Sequence, residues 1–132
     1  MAKVELVKEL LAQTENKVGM LAEVSAVVSA AGVNIQAINA YGAGDKANFR
    51  ILSNDNQKAK TALEAKGYQV SEQDVVTVEL PNQVGVLQAT ADKLKAKGID
   101  LEYIYGTTCS CNCDCLLVLN SNNNAGAQEA LK

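Results

Sequence analysis

Residues 16–38 read NKVGMLAEVSAVVSAAGVNIQAI, and residues 82–104 read NQVGVLQATADKLKAKGIDLEYI. Laid over each other at an offset of 66, Asn16, Val18, Gly19, Leu21, Ala30, Gly32 and Ile38 meet Asn82, Val84, Gly85, Leu87, Ala96, Gly98 and Ile104. Val33 meets Ile99, Asn34 meets Asp100, and Ile35 meets Leu101. Two segments of this size in register indicate a duplicated supersecondary unit. The match resumes after a shift of one or two residues, where Ile51-Leu52-Ser53-Asn54 resembles Val118-Leu119-Asn120-Ser121 and Ala62-Leu63 resembles Ala130-Leu131.

The periodicity changes in a fixed order within each copy. Residues 4–13 suit a strand or a helix by pattern alone. Their counterpart Val75-Val76-Thr77-Val78-Glu79-Leu80 is β-branched and alternating, so a strand is expected in both. After the turn Asn16–Gly19, the residues Leu21, Val24, Val27, Val28 and Ala31 recur at helical spacing and Gly32 ends the run. Leu87, Ala91, Leu94 and Gly98 repeat this in copy two. Leu21, Val24, Val28, Leu87 and Leu94 are the expected helix core. Val33–Tyr41 alternates as a strand, Gly42–Lys46 reads as a hairpin turn, and Ala47–Ser53 returns. Asp55-Asn56 can cap a second helix that ends near Gly67, and Tyr68–Ser71 forms a last strand.

The order β-α-β-β-α-β, twice, predicts an α+β fold: a ferredoxin-like unit with both helices on one sheet face. Strands one and three are expected as parallel neighbours across a right-handed crossover. Copy two lacks its last strand, since the sequence stops at Lys132 inside its second helix. That leaves either one strand fewer or an edge covered by another strand. The expected modules are residues 1–73 and 74–132.

Composition narrows the function. The 132 residues carry a net charge of -3 and no histidine. An acidic chain with 4% aromatic content is a poor nucleic-acid binder, and mechanisms that need a His base or ligand are excluded. No apolar run nears the ~18 residues of a membrane span, and no leader pattern opens the chain. A cytoplasmic protein is expected. There is no phosphate-binding loop, no dinucleotide fingerprint and no base–nucleophile pair. No enzyme and no cofactor are therefore expected.

Two features hold candidate chemistry. The first is Asn16, Gly19 and Asn34, with Asn82, Gly85 and Asp100 in copy two. A glycine ahead of a helix lets a ligand approach the free N–H groups and partial positive charge of the helix start, an arrangement suited to an α-carboxylate. Asn16 and Asn34 can offer amide oxygens to an ammonium group and N–H groups to a carboxylate. Purely structural roles are also open: Asn16 as a helix cap, Gly19 for tight packing, Asn34 to satisfy backbone at a strand start. In copy two, Pro81 removes a donor, and Asp100 suits an ammonium but repels a carboxylate.

The second feature is Cys109, Cys111, Cys113 and Cys115, placed by analogy in the copy-two hairpin. Along an extended strand, residues two apart sit roughly 6.6 Å apart, too far for a bridge between neighbours, while a bridge across strands stays open. The Cys-x-Cys spacing suits zinc poorly and soft ions better. A thiol metal or redox protein is the rival reading, and reduced thiols at a hairpin tip are the plain one.

The paired pattern, Asn-x-x-Gly followed by Gly-Val-Asn-Ile or Gly-Ile-Asp-Leu, resembles the signature of ACT domains, with a complete module over residues 4–80 and a truncated one over 75–132. The resemblance implies a non-catalytic regulatory protein that binds a small effector, an amino acid, where the loop of one module faces the second strand of another. It also implies pairing of modules, either of the two copies within one chain or across a homodimer through sheet edges or helices.

Overall fold

The computed structural model describes residues 3–108 and 113–132. Its elements are β1 (Lys3–Glu15), α1 (Met20–Ala30), β2 (Ile35–Ala43), β3 (Lys46–Ser53), α2 (Asn56–Ala65), β4 (Gln69–Leu80), α3 (Val86–Ala96), β5 (Leu101–Thr107), β6 (Cys115–Ser121) and α4 (Asn124–Leu131). The repeated β-α-β-β-α order is as the sequence predicts. The chain forms two compact units, one of Lys8–Gln73 and one of Met1–Val7 with Asp74–Lys132.

In the unit Lys8–Gln73 the strand order is β2-β3-β1-β4. β3 pairs antiparallel with β1, with Leu10 opposite Ile51 and Ala12 opposite Phe49. The expectation of parallel neighbours is thus corrected. The hairpin reverses the chain between β2 and β3, so β3 runs against both β2 and β1. The crossover helix makes β1 and β2 parallel, but β3 lies between them. Leu10, Ala12, Phe49 and Ile51 project to one face, where Met20, Val24 and Val28 of α1 and Ala59 and Leu63 of α2 close the core.

The second unit repeats this plan with the order β1-β4-β6-β5. Val76 lies opposite Leu119 and Val78 opposite Leu117. These four pack with Leu94 of α3 and Ala127 and Leu131 of α4, and Val4 of β1 packs against them. The repeat ends, among the described residues, with α4. The first part of β1 lies in this unit, at the edge of β4 where a last strand of copy two would lie.

Three further expectations shift. Tyr68–Ser71 and the strand that opens copy two are one strand, β4, twelve residues long. Residues 72–74 are polar and lie between the two expected strands, yet β4 runs unbroken through them beside β1. The return strands align one residue later than sequence similarity suggests. Ile51 faces Leu10 as Leu119 faces Val76, so Ser53 corresponds to Ser121 and Asn54 to Asn122. Leu21 and Leu87 are not core residues. They are 54% and 57% exposed, while Met20 and Thr90 are buried with Val24, Val28 and Leu94. Each helix begins one residue before the leucine, and a stripe that starts at 20 rotates residue 21 off the sheet face.

Candidate functional site

The two loops ahead of α1 and α3 have the same backbone. Gly19 and Gly85 are the residues before the first helical turn, with φ of 92° and 87°. That left-handed conformation costs an L side chain roughly 1–2 kcal/mol. A Cβ built on either glycine would meet nothing within 4 Å. The glycines are therefore there for their φ, and packing against the strand is not their role. The space above them is open. Met20 N–H turns back to the Lys17 carbonyl at 3.4 Å, and Val86 N–H to that of Gln83 at 3.3 Å.

No side chain caps α1 or α3, whereas Asp55 caps α2 through Lys58 N–H and Asn123 caps α4 through Gly126 N–H. Asn16 is thus not a helix cap. Its backbone N–H donates to Asp45 at 2.9 Å and its side chain to the Gly44 carbonyl at 3.4 Å, which ties the glycine loop to the β2–β3 turn. Its amide nitrogen occupies the space beside Gly42 that a Cβ there would need.

Asn34 and Asp100 sit at the other end of the edge strands. Asn34 N–H donates to the Asn54 side chain at 2.9 Å, and the Asn54 N–H returns to the Asn34 carbonyl. Asp100 and Asn122 repeat this pair at 3.1 and 3.0 Å. The backbone role assigned to Asn34 thus belongs to its peptide group and to Asn54. Its side chain is free among the described residues. Asn54 and Asn122 were not singled out from sequence, and the only signal for them is the corrected alignment of the return strands.

Within one unit these groups are not brought together. Asn16 is tied to residues 44 and 45, beyond one end of β2, and Asn34 precedes the other end. Ten strand residues put them roughly 30 Å apart. In the second unit, Asn82 and Gly85 line a groove of about 330 Å³ with Leu87, Gly106, Cys115 and Leu117. Asp100 lines a separate hollow with Leu94 and Gly98.

The charge around the first loop is paired. Lys17 Nζ lies 3.1 Å from Glu15, whose hydrogen bond and charge raise the lysine pKa above its usual value. Tyr68 donates to Glu23 at 3.2 Å. Burial first, and then that carboxylate, push its hydroxyl pKa up.

Of the cysteine cluster, Cys109 and Cys111 lie outside the described residues. Cys113 is disulfide-bonded and Cys115 is a buried free thiol at the start of β6. The reading of four reduced thiols is therefore corrected. Residue 113 precedes β6 and lies outside any strand, so the spacing of an extended strand does not apply to it. Among the described residues no group of three or more acidic or Cys side chains is placed to hold a metal.

A family model described as an ACT domain pair matches residues 6–132. The chain belongs to the ACT family. ACT domains are regulatory modules, and this ACT pair is built as two of them. A crystal structure of a protein from Bacteroides thetaiotaomicron is similar at 30% identity, with a TM-score of 0.88, over 97% of this chain and 88% of that one. The regulatory subunit of aspartate kinase from Thermus thermophilus shares the fold at 15% identity, with a TM-score of 0.66, over 98% of this chain and 93% of that one. That from Thermus flavus does so at 16% identity and a TM-score of 0.63, over 98% and 94%. No curated protein matches the sequence. No helix among the described residues is long and apolar enough to cross a membrane.

Proposed function

We propose that this ACT pair is a non-catalytic regulatory protein that binds an amino acid at its glycine loops. One observation supports this above the others. Of the four helices among the described residues, the two that follow a left-handed glycine start without a side-chain cap and under open space, and the other two are capped. A helix start left this way favours an anion, and a carboxylate meets the N–H groups and the partial positive charge together.

The α-ammonium needs acceptors that the same loop does not supply in full. The exposed Asn34 and Asp100 side chains offer them, but each lies far from the glycine of its own unit. The ligand is therefore held by a glycine loop on one side and a strand start from another module on the other. A homodimer supplies that second module.

A thermal-shift screen of the twenty amino acids tests the reading. A ligand at 100 times its Kd adds about 2.7 kcal/mol to stability. One or more amino acids should raise the melting temperature, and the Gly19→Val, Gly85→Val double variant should lose the response. No response to any amino acid would count against binding.

A further inference from the structure

We propose that the groove of the second unit is the site for the ligand's side chain and that it selects an uncharged, aliphatic or thioether amino acid. This rests on the amino-acid reading above and adds the substrate class and the module. The groove lies beside Gly85, where the carboxylate is expected, and its apolar lining includes the exposed Leu87, the buried Leu117 and the buried thiol of Cys115. Among the described residues, none that lines it carries a charge; the polar ones are amides and hydroxyls such as Asn82 and Thr107. A Lys, Arg, Asp or Glu side chain placed there would lose hydration with no opposite charge to meet, which is costly. An aliphatic chain gains from each buried methylene.

Gly106 shapes the groove. It pairs with Leu117 across β5 and β6, and a Cβ at 106 would come within 2.5 Å of the Leu117 side chain and 3.0 Å of the Leu116 carbonyl. Glycine there lets Leu117 lie over β5.

The first unit is different at each of these places. Ala40 pairs with Phe49 where Gly106 pairs with Leu117. Lys17 stands for Gln83, and Tyr41 for Thr107. A charge and two aromatic rings replace an amide, a hydroxyl and a leucine. A cleft of about 530 Å³ in the first unit includes Glu15, Lys46 and Lys66 in its lining. The two modules are thus not equivalent receptors, and the neutral ligand belongs to the second.

Titration calorimetry with leucine, methionine, valine, aspartate and lysine reads the class. Leu87 and its counterpart Leu21 are both more than half exposed, so charge at either leaves the fold intact. Leucine or methionine should bind more tightly than aspartate or lysine. Leu87→Asp should weaken that binding about ten-fold or more, as expected for a lost apolar contact in a pocket. Leu87→Met should keep it, and so should Leu21→Asp. Tight binding of a charged amino acid alone would overturn the proposed class while the amino-acid function stands. Loss on Leu21→Asp but not on Leu87→Asp would overturn the choice of module. No binding by any amino acid would overturn both.

Discussion

The carboxylate of Glu9, wholly buried, lies 3.2 Å from the guanidinium of Arg50, and the equivalent places in the second unit hold Val75 and Val118, also buried. Arg50 also donates through Nε to the Tyr41 hydroxyl at 2.9 Å and lies over that ring at 5.8 Å. The duplicated fold thus accepts a charge pair or an apolar pair at one position. Breaking a buried pair leaves an uncompensated charge, at a cost of roughly 3–5 kcal/mol, whereas replacing both partners with packed apolar groups is often neutral or better. Glu9→Ala should lower stability in urea melts by about 3 kcal/mol. The Glu9→Val, Arg50→Val double variant should return to within about 1 kcal/mol of the parent. A double variant as unstable as the single one would mean that the pair does more than fill its place.

The caps of α2 and α4 lend themselves to a matched test. Asp55 and Asn123 hold the same position, each accepting from the N–H three residues on, at 3.1 and 2.9 Å. Loss of such a cap costs about 1 kcal/mol. Asp55→Ala and Asn123→Ala should each cost about that much in chemical denaturation, and the two should add, since the sites share no partner.

Asn34→Ala separates binding from folding. Its backbone bonds to Asn54 survive the change. Stability should stay within about 0.5 kcal/mol, while amino-acid affinity falls by about 1–3 kcal/mol, the scale of a hydrogen bond to a charged group. Asn54→Ala should show the reverse pattern, with lower stability as the main effect. Calorimetry paired with melts reads both.

Alkaline pH should act through Tyr68. Its pKa in the folded protein is raised, so its neutral form is favoured there. A raised folded pKa gives stability that is complete below the unfolded value of about 10 and is lost as pH climbs through the folded one. Melting temperature should therefore fall above about pH 10, and Tyr68→Phe should flatten that decline. An unchanged slope in the variant would assign the alkaline loss to other groups.

The duplication, the helices and their glycine stops were legible because each is local: a 3.6-residue stripe followed by a left-handed glycine needs no knowledge of distant partners. What was hidden depends on pairing. Residues 72–74 fall between two expected strands until β1 is laid beside them. Leu21 and Leu87 read as core because the stripe was started one residue late, and the phase of a short helix decides which side chain meets the sheet. Asn16, Gly19 and Asn34 looked like one site because they are close in sequence. A strand of nine residues carries the third away from the first two. The structure also bears on two plain explanations, since no side chain caps α1 among the described residues and a Cβ at Gly19 would meet nothing within 4 Å.

The second unit holds more than the second repeat. The second unit begins at Asp74, runs through α4, and is completed by the first seven residues of the chain. Read in that order, its elements run β-α-β-β-α-β, the same order as in the first unit. A fragment cut at the repeat boundary, residues 74–132, would present the bare edge of β4 to solvent. Joining residues 3–7 after Lys132 in a rearranged sequence would place their strand directly after α4, in the chain order the first unit has.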